Sequence, residues 1–295
     1  MHDARDALSS SPNHSTIDFS AGYWHIPLAS ESRPKTALVT YEGLNQWLRM
    51  PMGLTNVPAI FQRMIDVALQ GFKWKNCMVY LDDTIISPKT FEDHFRDVIQ
   101  IFVRLLILGI CIDPSKTFFC QEKVLYLEHV ISAAGLSTDP ENIKALKEYP
   151  KLSSRKKVMS FLGLVGYYRN FVQDFAEIAA LLTHSWKKDR TPFYWTQEMD
   201  HSFHQVTTVL CTATISGHPD FSMPFKITTD AFEVGLRAAL SQQKPEGKVV
   251  IQFASKRLSP PESRLIAAEC EALAIIWACD LFPPYHWNEV SSGNR

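Results

Sequence analysis

The chain has 295 residues, of which 46% are hydrophobic and 21% charged, with a formal net charge of -1; this excludes a disordered or collagen-like polymer and leaves room for about two domains, each with its own core. A near-neutral balance excludes a uniformly basic nucleic-acid binder, but not a locally basic groove. The six cysteines make no CxxC pair, which argues against zinc and for free core thiols; the polar start MHDARDALSSSPNHS and the absence of a long apolar run, Ile101 to Ile112 being broken by Arg104, argue for an intracellular chain with no membrane segment.

In chain order, STIDFSAGYWHIPL predicts a strand ending near Asp18 and a bend into a helix or loop. Thr36 to Met50 alternates apolar and polar residues, with Glu42-Gly43 at a hairpin turn. Pro58 to Phe72 carries Phe61, Ile65, Ala68 and Leu69 at helical spacing. NCMVYLDDTIISP then reads as two β-runs around a pair of aspartates, followed by a helix from Thr90 to Leu108 that Gly109 stops. Thr117 to Leu136 is β-like, Asp139-Pro140-Glu141 opens a helix, and Ser153 to Phe171 forms another, capped by Ser153 or Ser154. Thr191 to Trp195 reads as a linker, Gln197 to Cys211 as a helix, and PFKITTDAFEVGLRAALSQ as a strand, a bend and a strand. Ser259, Pro260 and Glu262 make a capping box that should start the last helix.

Chemistry concentrates in Tyr80-Leu81-Asp82-Asp83, which places two carboxylates at a hairpin tip. Aspartate is favoured in turns, so one reading is a solvated tip. The other is a magnesium site, since two ions about 3.5–4 Å apart need a few carboxylates on a rigid support and take their remaining ligands from water and substrate phosphates. Asp18, at the end of STIDF, offers a third carboxylate; alone it reads equally as a strand-end or cap residue.

DFSAGYWHIPL, MPMGLTNVPAIFQRMID and VYLDDTIIS, in this order and at these separations, resemble the palm motifs of gypsy-type long-terminal-repeat retrotransposon reverse transcriptases. The resemblance implies an RNA-directed DNA polymerase that extends a primer 3'-hydroxyl with deoxynucleoside triphosphates on an RNA or DNA primer-template. It implies two Mg2+ ions, with Mn2+ as a substitute, held by Asp18, Asp82, Asp83 and the Phe19 carbonyl. It further implies a Tyr23 that rejects a nucleotide 2'-hydroxyl, and a nucleotide-side turn at Met52 and Gly53, Met52 standing where the family usually has Phe. Gln62 would serve the fold or the template. The implied fold is α/β: a palm with an antiparallel sheet over 1-136, a helical thumb and connection over 137-195, and an RNase-H-like unit over 196-295.

YLEHVISAAGLSTDPENI is similar to the family's primer-gripping hairpin, with Glu128 where glycine is usual, and FLGLVGYYRNFVQDFAEIAALLT to its thumb and connection. Lys144, Lys147, Lys151, Arg155, Lys156 and Lys157 would there neutralise duplex phosphates, whereas Lys187, Lys188 and Arg190 read as a solvated face. ITTDAFEVGLRAAL and AECEALAI resemble the start of a retroelement RNase H, with Asp230 and Glu271 as its acids, Glu269 as a surface residue and Arg237 in place of a small residue. The chain reads as cut short at both ends: about seventeen residues precede Asp18, and WNEVSSGNR resembles nothing in the family. RNase H activity is therefore expected to be lost. A catalytically inactive fragment that binds nucleic acid, or a decayed product without function, stands as the alternative to a working polymerase.

Overall fold

The computed structural model describes residues 11–73, 75–185, 193–212, 216–232 and 234–282, and the backbone of Trp287–Ser292. The chain divides into two compact units, Met1–Ala133 and Ala134–Arg295.

In the first unit, β1 (His14–Asp18), β4 (Cys77–Tyr80), β5 (Asp83–Ile86) and β6 (Phe118–Gln121) form an antiparallel sheet in the order β4-β5-β1-β6. Its short runs are rich in β-branched residues, and Ile17, Cys77, Val79 and Ile86 point into the core. Two helices cover it. The first, α1 (Val57–Ala68), has Pro58 in its opening turn and buries Val57, Phe61, Ile65 and Ala68, the spacing of one helical face. It ends four residues before the expected Phe72, because the chain turns through a left-handed Gly71 at φ 94°. The second, α2 (Phe91–Ile107), is capped by Thr90, whose Oγ1 accepts the Asp93 N–H at 3.1 Å, and is stopped by Gly109 at φ 66°. The hairpin β2 (Leu38–Thr40) and β3 (Gly43–Asn45) turns at the expected place.

A second hairpin pairs β7 (Lys123–Tyr126) with β8 (His129–Ser132) through Leu127 and Glu128, at φ 48° and 58°. A two-residue turn with both residues left-handed favours glycine or asparagine, so both side chains here are strained. Exchanging Glu128 for glycine is expected to stabilise the unit by about 1 kcal/mol. A thermal melt should rise by a few degrees; a fall would show that contacts of the glutamate outweigh the strain.

The second unit begins with β9 (Gly135–Thr138) and α3 (Pro140–Lys147), whose N-cap Asp139 accepts the Glu141 N–H at 2.9 Å. Then comes α4 (Arg155–Tyr167), capped by Ser154 through the Lys157 N–H at 3.3 Å. The expected helix to Phe171 is cut at Tyr167, and Arg169–Phe171 forms a 3₁₀ turn. Two short helices, α5 (Phe175–Ile178) and α6 (Ala180–Ser185), precede α7 (Gln197–Cys211), which has the expected bounds. Of the predicted linker, Thr191 and Pro192 lie outside the described residues, as do Lys187, Lys188 and Arg190. Strands β10 (Phe225–Phe232), β11 (Gly235–Lys244) and β12 (Gly247–Arg257) form an antiparallel meander backed by α8 (Ala267–Leu281). Phe225, Ile227, Leu240, Ile251, Ala278 and Phe282 make its core.

Two expectations are corrected. The last helix starts at Ala267, not Ser259: the Glu262 carboxylate does accept the Ser259 N–H at 2.7 Å, but it is also tied to Lys256 at 2.7 Å and closes only a 3₁₀ turn, after which Leu265 is extended. Glu269, expected on a solvated face, is exposed, and it also caps the true start by accepting the Ile266 N–H at 3.0 Å. All six cysteines are unpaired, yet only Cys77 and Cys270 are buried, because Cys111 and Cys120 fall on loop and edge positions. The terminal segment, unlike anything expected, adds β13 (Trp287–Ser292) in parallel to β10. No helix among the described residues is long and apolar enough to cross a membrane.

Candidate active site

The site lies where β1 and the β4–β5 hairpin end together. Asp18 and Asp83 are direct cross-strand partners, and Tyr80 pairs with Asp83 across a two-residue loop of Leu81 and Asp82. Cβ atoms of directly opposed antiparallel residues are about 4.5–5.5 Å apart, so two like charges are held face to face, an arrangement that costs stability unless a cation lies between them. Burial raises the Asp82 carboxyl above its ordinary pKa, and the charges of Asp18 and Asp83 raise it further. The Asp83 carboxyl is raised in the same way, by burial and then by Asp18. Asp82 Oδ1 is buried with no hydrogen-bond partner among the described residues. The one nearby cation among those residues' ion pairs is Lys116, whose Nζ is 3.8 Å from Asp18 Oδ2 and whose side chain is largely exposed.

The turn is braced from behind. Leu81 is left-handed at φ 51°, and its N–H donates to Gln62 Oε1 at 2.6 Å. The Gln62 amide in turn donates to Asp66 Oδ1 at 2.8 Å and to the Val79 carbonyl at 3.3 Å, so one side chain of α1 holds both the first arm of the hairpin and its turn. Replacing Gln62 with leucine leaves the Leu81 N–H unsatisfied, at an expected cost of about 1–3 kcal/mol. A urea titration should show that loss, and an unchanged midpoint would mean that water serves the turn equally well.

Behind Asp18, Ser20 N–H bonds to the Cys111 carbonyl at 3.0 Å and the Asp18 carbonyl accepts the Asp113 N–H at 2.9 Å. Strand alternation therefore turns the Phe19 carbonyl away from that neighbour, to the side of β5. The Phe19 ring packs edge-on against Phe61 at 5.7 Å, as does Tyr23 at 5.4 Å. Tyr23 is also close enough to Asp82 for that carboxylate to raise its pKa, after the larger effect of burial. Gly22 fits between: a Cβ there would lie 2.6 Å from Phe61 Cζ and 3.1 Å from Asp82 Oδ1. Met52 and Gly53 are in the exposed turn that leads into α1, Gly53 at φ 93°.

Asp18 and Asp83 border a cleft of about 470 Å³ with Lys116 and Tyr126. Sequence reading missed both residues. Tyr126 is buried, its hydroxyl has no partner among the described residues, and burial with the nearby Asp83 charge pushes its pKa up. Only its apolar alternation marked it in the sequence. A larger cleft, about 1480 Å³ and lined by Trp24, Arg49, Arg63 and Arg104, touches none of the three aspartates. Among the described residues no three His, Cys, Asp or Glu side chains close a metal cage; Mg2+ does not ask for one, since it keeps waters and substrate oxygens in its shell. Opposed carboxylates and an orphaned buried oxygen fit a divalent cation.

In the second unit, Lys144 and Lys147 lie in the last turn of α3, Lys151 follows it, and Arg155, Lys156 and Lys157 form the first turn of α4. All but the half-buried Arg155 are exposed. Asp230 lies on β10 and Glu271 on α8; Glu271 Oε1 accepts the Ala231 N–H at 3.4 Å, which brings the two acids to one end of the sheet.

Residues 2–131 match the family of reverse transcriptases, RNA-dependent DNA polymerases, and residues 195–291 match the RNase H-like domain found in reverse transcriptase. The chain is 32% identical over 289 residues to the retrovirus-related Pol polyprotein from transposon opus of Drosophila melanogaster, covering 95% of this chain and 29% of that protein. Against the Pol polyprotein from transposon gypsy of the same fly it is 36% identical over 274 residues, 89% of this chain and 26% of the relative. The chain belongs to the reverse transcriptases of retrotransposon Pol polyproteins, and it spans under a third of these relatives' length. Its fold matches that of a foamy viral protease-reverse transcriptase solved in complex with double-stranded DNA, with TM-score 0.88 and 25% identity over 99% of this chain and 61% of that one. A second such structure, also with double-stranded DNA, gives TM-score 0.89 at 23% identity over 98% of this chain and 51% of that one. The α/β architecture expected from the sequence is thus the observed one.

Proposed function

We propose that this chain is the polymerase portion of a retrotransposon Pol protein, with palm 1-136, thumb and connection 137-195 and an RNase-H-like unit from 196, and that Asp18, Asp82 and Asp83 carry nucleotidyl transfer. The observation that carries this reading is the direct opposition of Asp18 and Asp83 beside the unpartnered Asp82 oxygen. Asp18, Asp82, Asp83 and the Phe19 carbonyl would hold two Mg2+ ions, which supply charge neutralisation of the attacking and leaving oxygens. Tyr23, stiffened by the Phe61 ring, would stand against the sugar and exclude a 2'-hydroxyl. Met52 and Gly53 would face the incoming deoxynucleoside triphosphate, Gly53 because the glycine that its φ of 93° favours leaves the turn without a side chain.

For the primer-template, support comes from the start of α4. Cations suit the last turn of a helix, which accounts for Lys144 and Lys147, but the exposed Lys156 and Lys157 in the first turn of α4 oppose the helix dipole and gain nothing from it. Phosphates of a duplex would supply a reason for them. The test is primer extension on an RNA template with Mg2+, with Mg2+ chelated, and with Asp83→Asn. Extension by the unaltered chain alone is expected. Equal extension in all three would end the two-metal reading, and salt-sensitive duplex binding without any extension would favour the inactive nucleic-acid-binding alternative.

A further inference from the structure

The acids of the second unit do not fit a metal as those of the first do. Arg237 on β11 is the cross-strand partner of Asp230 on β10. Its Nε donates to Asp230 Oδ2 at 2.6 Å and its Nη2 donates to the same oxygen, while Nη1 donates to Asp174 Oδ2 at 3.1 Å. The guanidinium also lies over the Phe232 ring, 5.5 Å from its centre. Asp174, Asp230 and Arg237 line one small cavity of about 280 Å³ and are each only about a fifth exposed, so solvent screens the pairs little.

We propose that the Arg237 guanidinium occupies the place of a divalent cation at Asp230, and that this unit therefore takes up no metal through that carboxylate. A planar fork with fixed charge satisfies Asp230 and Asp174 at once, which a hydrated ion would otherwise have to do. A Mg2+ ion must come within about 2.1 Å of a carboxylate oxygen, and Asp230 Oδ2 already accepts two guanidinium hydrogens. The incoming ion would meet a positive charge instead of an open ligand. The bridge also has a structural consequence, since it ties the left-handed Asp174, at the start of α5, to the β10–β11 ladder. A small residue at 237 would leave Asp174, Asp230 and Glu271 as three carboxylates with no cation between them.

Bound Mn2+ counted by electron paramagnetic resonance on the full chain tests this, with Asp82→Asn and Asp83→Asn present throughout to silence the first unit. Adding Asp230→Asn is expected to leave the count unchanged; loss of one Mn2+ per chain would overturn the proposal. Arg237→Ala is expected to gain one Mn2+ per chain, which Asp230→Asn then removes, and a folded Arg237→Ala chain that gains none would overturn it equally. If circular dichroism shows that Arg237→Ala does not fold, Arg237→Gln keeps the bulk without the charge, and the Asp230→Asn arm decides by itself.

Discussion

Asp83→Asn is expected to lower Mg2+-dependent primer extension by about three orders of magnitude, close to 4 kcal/mol of transition-state stabilisation. The substitution keeps shape and removes one of the two opposed charges at the strand ends. Its effect on stability should have the opposite sign. Burial and the Asp18 charge hold the Asp83 pKa above its ordinary value, so this group's contribution is favourable below the usual carboxylate range and is lost as pH rises through the raised value. At neutral pH the ionised aspartate is therefore a cost that asparagine removes. Because the partly desolvated Asp83 side chain still reaches solvent, screening keeps that gain below about 1 kcal/mol. With chelator at pH 7 the variant should melt slightly above the parent, the gap closing near pH 4. Mg2+ should raise the melting temperature of the parent more than that of the variant. A variant that melts lower at pH 7 in chelator would contradict the electrostatic account.

Phe61→Ala should produce the largest loss of stability, about 3–5 kcal/mol, against a total of about 5–15 kcal/mol for a folded domain. Phe61 is fully buried in the core of the first unit, and its ring meets Phe19, Tyr23 and Gly22 together. Removing it opens a cavity directly beneath the residues that carry Asp18 and Tyr23. Urea unfolding followed by tryptophan fluorescence should show a midpoint well below that of the parent. Below the temperature at which the variant unfolds, preference for deoxyribo- over ribonucleotides should also weaken, since Tyr23 loses its backing. Unaltered discrimination in folded Phe61→Ala would mean that Tyr23 is held by something other than this ring.

Most elements of the first unit were legible because local signals and tertiary demands agree there. Thr90 and Gly109 bound their helix in sequence as in space, and Tyr80 to Asp83 reads as a hairpin because two β-runs flank two polar residues. Where several weak signals competed, local reading failed. Ser259-Pro-Pro-Glu262 has every mark of a helix start, yet Lys256 claims the glutamate and the helix waits for Ala267. Glu128 and Arg237 were visible as departures from a pattern, but not what each departure does.

By itself, the sequence determined the family, the order of most elements and which three aspartates are the candidates for the site, because these are properties of residues near one another along the chain or of motifs in register. Tertiary structure alone decided which charges face each other. Asp18 meets Asp83 from 65 positions away through strand pairing, Lys116 and Tyr126 arrive beside them from later strands and loops, and Gln62 reaches Leu81 across the helix–sheet interface. The same kind of pairing that leaves Asp18 and Asp83 opposed without a guanidinium between them puts Arg237 directly on Asp230. Strand register acts over long sequence separation and sets opposite electrostatics at two carboxylate sites whose residues look alike in the sequence.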